Sequence, residues 1–176
     1  MALELDPLDT VYSSEVGYLL HLMRQFEPAI AQFEHTIDID PTFWLPYWFL
    51  SIPLALTGRS DEAIAAAEKA KELSGGNAAT LGLLGRAYAL AGRTAEARQL
   101  LEELELRRRS SYVHPSSLAM IYRGLGDLEK GLEWWIRGVE EHDMLLVPSI
   151  KSEPGYDHLR SHPAYKALLR KMNLEP

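Results

Sequence analysis

The stretch Leu84-Gly85-Arg86-Ala87-Tyr88-Ala89-Leu90-Ala91-Gly92 returns 34 residues later as Leu118-Ala119-Met120-Ile121-Tyr122-Arg123-Gly124-Leu125-Gly126. A small residue, a tyrosine and a glycine hold their places, and the same beat runs outward in both directions. Gly58, Gly92 and Gly126 form one column. Ala29, Ala63, Ala97 and Gly131 form a second, and Gly17, Ser51, Gly85 and Ala119 a third. Leu20, Leu54, Tyr88 and Tyr122 make a fourth, with Phe33, Ala67, Leu101 and Trp135 a fifth. A period of this length, held in phase by five columns, means stacked supersecondary units that bury one another's apolar faces.

Within each period the apolar residues keep helical spacing. In the first, Val16, Leu19, Leu20, Leu22 and Met23 predict one helix, and Ile30, Phe33 and Ile37 a second. Pro28 falls in the first turn of that second helix, where proline is tolerated. Asp40-Pro41 ends it, because a residue before proline is pushed out of the α region. The second period carries the aromatic cluster Phe43, Trp44, Tyr47, Trp48 and Phe49, with Pro46 in the first turn of its helix and Pro53 in the interior. Ser60, Asn77 and Thr94 are expected N-caps. Gly82 and Gly85 are expected to let neighbouring helices approach closely. Arg107-Arg108-Arg109 reads as a solvated helix end suited to the helix dipole. The chain is thus divided into four repeats at about 9–40, 41–74, 77–108 and 115–141, within a region 1–142.

Two ends frame this array. Ala2 to Asp6-Pro7 matches Thr36 to Asp40-Pro41 one period on, which predicts that the chain starts inside the second helix of an earlier repeat of a longer protein. Past His142 the beat is lost. Met144 to Ile150 is a short apolar run, and a last helix is expected from about His162 to Met172. Segment 143–176 is assigned the capping of the exposed apolar end.

The bulk composition narrows the chemistry. The net charge of −7 lies entirely in residues 1–58, where eight acidic side chains face the single Arg24. A basic nucleic-acid footprint is missing. No apolar run reaches the roughly 18–20 residues of a membrane span, and no signal peptide opens the chain. The absence of cysteine excludes disulfides, thiolate metal sites and thiol nucleophiles. The six histidines form no paired helical ligand set, and His158 and His162 are separated by an expected helix start. No catalytic set stands out, and neither a cofactor nor a metal is expected.

Two helices per 34 residues narrow the architecture to a family. Gly85 with Tyr88, Ala119 with Tyr122, and Ala29, Phe33 and Pro41 together resemble the tetratricopeptide repeat over about residues 7–142. Departures fall at Ala67, at Gly75 and Arg109, and at Ser13 and Pro115. The resemblance implies an all-α, right-handed α-solenoid of helix-turn-helix repeats and a protein-binding role. It also implies a concave groove lined by the first helix of each pair. The positions on that face are Tyr18, His21, Leu22, Leu45, Trp48, Phe49, Ile52, Arg86, Met120 and Arg123. This is an apolar, aromatic surface with Arg86 and Arg123 as polar anchors, suited to a helix or extended peptide.

The tail Tyr156 to Met172, Leu73 to Asn77 and Ala119 to Asp127 are also similar to a group of bacterial multidomain regulators. In that group tetratricopeptide arrays follow winged-helix, nucleotide-cyclase or serine/threonine-kinase domains, often with a TolB-like segment between. This implies a partner that is a protein, a peptide or the parent's own effector domain. It also implies a cytoplasmic location, or a periplasmic one if the parent spans a membrane. The alternatives are a homodimer, with the acidic front of one copy meeting the basic tail of another, and a small-ligand sensor lined by Phe43 to Phe49.

Overall fold

The structure, a computed structural model, describes residues 7–143 and 150–174. Among the described residues there is no strand. The helices are α1 (Pro7–Leu22), α2 (Phe26–Ile39), α3 (Trp44–Leu56), α4 (Ser60–Leu73), α5 (Ala78–Leu90), α6 (Thr94–Arg107), α7 (Pro115–Gly124), α8 (Leu128–Glu140) and α9 (Pro163–Lys171). A 3-10 turn, Pro154–Leu159, precedes α9. The second helices of the four pairs start at Phe26, Ser60, Thr94 and Leu128, so the 34-residue beat of the sequence is a beat of helix starts. The chain falls into two compact units, Met1–Gly76 and Asn77–Pro176. Each holds two helix pairs, and the second also holds the tail.

One turn chemistry joins the helices of every pair. Gly58, Gly92 and Gly126 have φ of 80°, 78° and 82°, a left-handed conformation that side chains other than glycine adopt only at a cost. The next residue then returns a backbone bond to the tyrosine-or-leucine column: Arg59 to Leu54, Arg93 to Tyr88 and Asp127 to Tyr122, at 2.9, 2.8 and 2.9 Å. This is the bond pattern that closes a helix end. Repeat one makes the same turn without glycine. Arg24 takes φ 61° there, and Gln25 donates to Leu20 at 2.9 Å.

The short turn moves the caps. Ser60 and Thr94, expected as N-caps, are already the first helical residues, and neither α4 nor α6 has a side-chain cap. Arg59 and Arg93 hold the cap positions. Their guanidinium groups reach forward to Glu62 and Glu96, at 2.7 and 2.8 Å from Nε. Asn77 does cap, its side chain accepting from Thr80 N–H at 3.0 Å, and Asp127 caps α8 likewise at 3.2 Å. Asp40 ends α2 in an extended conformation, as the proline after it requires.

In the first unit α1 packs on α2 and α3 on α4, with α3 also against α2. Phe33 is fully buried, and its ring fills the space over Gly17, where a Cβ would lie 2.5 Å from Cε1. Ser13, which stands at the bulky family site, is held by polar bonds instead. Its hydroxyl meets Thr36 Oγ1 at 2.6 Å and accepts from Gln32 Nε2 at 2.8 Å. The outer face of α1 is apolar and open: Tyr12, Val16 and Leu19 are exposed, as is Met23 just past its end, whereas Leu84 and Leu118, in the column of Val16, are buried.

In the second unit α5 lies against both α6 and α7, and α7 against α8. The α5–α7 contact depends on absent side chains. A Cβ at Gly82 would stand 2.7 Å from the Cα and carbonyl oxygen of Ser117, and one at Gly85 2.6 Å from Ile121 Cδ1. The tail then folds onto α8. Trp135, fully buried, is surrounded by Leu132, Ile150, Leu159, Tyr165, Leu168 and Leu169. Tyr165 donates from its hydroxyl to the carbonyl of Ile150. His162 caps α9, accepting from Ala164 N–H at 3.3 Å. Of the run Met144 to Ile150, residues 144–149 lie outside the described residues, as do residues 1–6, which carry the earlier-repeat match.

Two glycine substitutions separate these effects. Gly92→Ala, in open space but at positive φ, is expected to cost about 1–2 kcal/mol. Gly82→Ala, which meets backbone, should cost about 1–3 kcal/mol and shift the α7 amide resonances as well. Urea midpoints with unchanged slopes are the measurement. A Gly82→Ala protein as stable as the parent would contradict the close approach of α5 and α7.

Candidate binding surfaces

The first unit gathers an aromatic cluster from α1, α2 and α3. The Tyr18 ring stacks on Phe49 at 4.8 Å, Phe49 on Phe33 at 5.8 Å, and Trp48 meets Phe49 edge-on at 5.1 Å. His21 lies near Tyr18 and Phe26, at 6.1 and 5.7 Å. Helical spacing explains the grouping: Tyr18 and His21 are three apart on α1, and Trp48 and Phe49 lie on one turn of α3 beside it.

Burial then sorts the expected groove residues. Tyr18, Leu22, Leu45 and Trp48 are half-buried, with part of each side chain open. His21, Phe49 and Ile52 are buried, so the structure places them beneath this surface rather than on it. Phe49 is drawn inward because it bridges Tyr18 and Phe33. Trp48 keeps one telling feature. Its indole Nε1 is buried and has no hydrogen-bond acceptor, a donor state that proteins rarely leave uncompensated.

In the second unit Arg86 is half-buried on α5, while Met120 and Arg123 on α7 are buried. Arg123, expected as an open polar anchor, is instead covered by the tail. Its guanidinium lies over the rings of Trp135 and Tyr156, at 4.4 and 4.2 Å from their centroids, and the two rings meet each other edge-on at 4.8 Å. Nη2 donates to the carbonyl of Gly155 at 3.3 Å. Nε and Nη1 are buried with no acceptor. The stem passes over Gly131, where a Cβ would collide with Arg123 Cγ. Burial lowers its pKa to about 10, so the group still carries its charge at neutral pH. Burial, followed by the charges of Arg123 and Arg86, lowers the pKa of His158.

Two further clusters were not expected. Arg108 does not end α6 as a solvated charge. It donates from Nη1 to the carbonyl of Val113 at 2.6 Å, pairs with Glu141 and lies 5.2 Å over the Trp134 ring. Arg137 also stands over that ring, at 5.0 Å from its centroid. Trp134 then joins Tyr122, Lys130, Glu133 and Arg137 in lining an open surface cleft of about 350 Å³. Tyr122 donates to Glu105 at 2.8 Å, and burial with that bond pushes its pKa up to about 12. The second cluster is His114 and Asp143. Asp143 is buried, accepts from Ser116 N–H at 2.8 Å and lies 3.0 Å from His114 Nδ1. It satisfies the open N-terminus of α7 from the far end of α8.

The tail cations are partly committed. Arg160 pairs with Asp157 at 2.8 Å, and Lys171 with Glu140. His158 lies in the 3-10 turn and His162 caps α9, so the two serve different elements. Among the described residues no group of three or more His, Asp or Glu side chains gathers in a metal-ligand set. No described helix is long and apolar enough to cross a membrane.

Paired helices at a constant period, half-buried aromatics on the first helices and an all-α build define a helical-repeat scaffold. The tetratricopeptide repeat family model matches residues 54–121, and the helix pairs on both sides of that stretch keep its period. The matched stretch is of the tetratricopeptide-repeat type, and repeats of this type generally serve as protein-interaction modules. No curated protein matches the chain.

The reach of Asp143 across the unit is testable by stability. Asp143→Ala removes a helix cap and the partner of His114, for an expected loss of about 1–2 kcal/mol. Asp143→Asn, which keeps an acceptor for Ser116 N–H, should lose less than half of that. Equal losses in chemical denaturation would assign the effect to charge rather than to capping.

Proposed function

We propose that the chain is a protein-interaction module that captures a peptide or helix through the first helices of its repeats, and that it does no chemistry of its own. The observation that carries this reading is Trp48. A large aromatic ring is held half-open beside Tyr18, Leu22 and Leu45, and its indole N–H lacks an acceptor. Tryptophan at such a position is the commonest kind of interface anchor, joining apolar area to one directional bond. Apolar side chains of a partner would cover the exposed parts of the rings.

The partner is then either a separate polypeptide or the effector domain of a larger regulatory chain. The family's protein-binding habit and the aromatic face support the first, and the tail's resemblance to multidomain regulators supports the second. Dimer formation through acidic front and basic tail draws less support, since Arg160 and Lys171 already have partners in their own chain.

Selection of a displayed peptide library on the whole chain tests the reading. Trp48→Ala is expected to weaken the selected peptides by about 1–2 kcal/mol or more while far-ultraviolet circular dichroism stays the same. Binding unchanged in that variant would remove the assignment of this face.

A further inference from the structure

The first unit leaves one apolar helix face open. Tyr12, Val16 and Leu19 on α1, with Met23 just past its end, are 65%, 48%, 57% and 65% exposed. Their spacing of four, three and four residues lines one stripe along a helix. A contiguous apolar patch on a surface otherwise rich in charge marks an interaction site. Tyr18, two residues from Val16, lies on the opposite side of α1, against Phe49. The stripe is therefore separate from the Trp48 face.

The later repeats show what such a face is built to meet. The column of Val16 continues as Leu50, Leu84 and Leu118, and that of Leu19 as Pro53, Ala87 and Ile121. All six are buried. These columns belong to the packed side of the later first helices, of which α3 lies on α1 and α2, and α7 on α5 and α6. A helix is thus the shape that fits the stripe on α1. Charge narrows its kind. Residues 1–58 hold eight acidic side chains against the single Arg24. Glu15 on α1 is exposed, as are Glu34 and Asp38 on α2, which packs against α1. A second copy of the chain would bring the same acidic surface against this one, and like charges repel.

We infer that the stripe of Tyr12, Val16, Leu19 and Met23 docks an amphipathic helix of a separate polypeptide, with flanks rich in lysine and arginine. The apolar side chains of that helix fill the spaces along the stripe as ridges fill grooves. Its basic flanks meet the charges of Glu15, Glu34 and Asp38, which favours this partner over a neutral or acidic one. The site belongs to the first unit alone and stands independently of the groove reading. One helix, α1, then serves two surfaces, with Tyr18 on the aromatic side and Val16 on the outer one.

Two designed helical peptides of about four turns, sharing a leucine stripe but flanked by lysines in one and glutamates in the other, test this on the full chain. The lysine peptide is expected to bind, to shift the amide resonances of Val16 and Leu19, and to weaken as salt is added. The glutamate peptide should bind at least about tenfold more weakly. Val16→Asn combined with Leu19→Asn, both at open positions, should weaken the lysine peptide at least about tenfold with circular dichroism unchanged. Leu106→Asn, at an exposed leucine of the second unit, should leave its affinity as it is. Trp48→Ala should do the same, and a loss there would move the peptide to the groove and overturn the α1 site. Absence of binding, or binding that survives the paired substitution, also overturns the site, and equal affinity for the two peptides overturns the basic partner. A parent chain that sediments as a dimer, with the paired variant a monomer, would make a second copy the occupant instead.

Discussion

Everything in this architecture depends on helices coming closer together than ordinary side chains permit. At Gly82 the backbone of α7 occupies the place where a Cβ would stand, and at Gly17 the ring of Phe33 does so. Buried alanines at 29, 63 and 97 extend the same allowance. Close approach multiplies weak dispersion contacts over a long interface, and those contacts are what hold a structure without long-range strand pairing. The left-handed turn after each first helix sets the angle at which the second returns. Its glycine is therefore as much a packing residue as the alanines are.

Once that spacing is fixed, the first helices inherit a division of labour. One side of each must carry small or aliphatic residues for stacking, and the other is released for contact. In the first unit the released side is aromatic, and much of it is spent on the fold itself, since Phe49 and His21 are drawn below the surface. Trp48 is the remainder, large, partly open and short of one acceptor. In the second unit the tail consumes the equivalent side of α7. Trp135 and Tyr156 close over Arg123, and a charge that helical position alone would put in water becomes an interior one.

The pairs, their period and the small-residue contacts were legible in the sequence because each rests on local chemistry repeated several times. Asp40-Pro41, Asn77 and the glycines at 58, 92 and 126 act within a few residues of themselves. What escaped did so for two reasons. Ser60 and Thr94 suit caps by residue type, yet the preceding arginines take that position and the helices begin a residue earlier than such caps would allow. Arg108, Arg123 and Asp143 escaped because their partners lie far along the chain, at Glu141, Gly155 and Ser116. Periodicity tells which way a helical residue faces. It does not tell what folds over it.

The most direct measurement of the central claim is a nuclear Overhauser spectrum of the chain in solution. Close stacking through missing side chains predicts cross-peaks between the Gly82 and Ser117 α-protons and between the Gly85 α-protons and the Ile121 methyls. Finding the helices intact by chemical shift but those cross-peaks absent would contradict it.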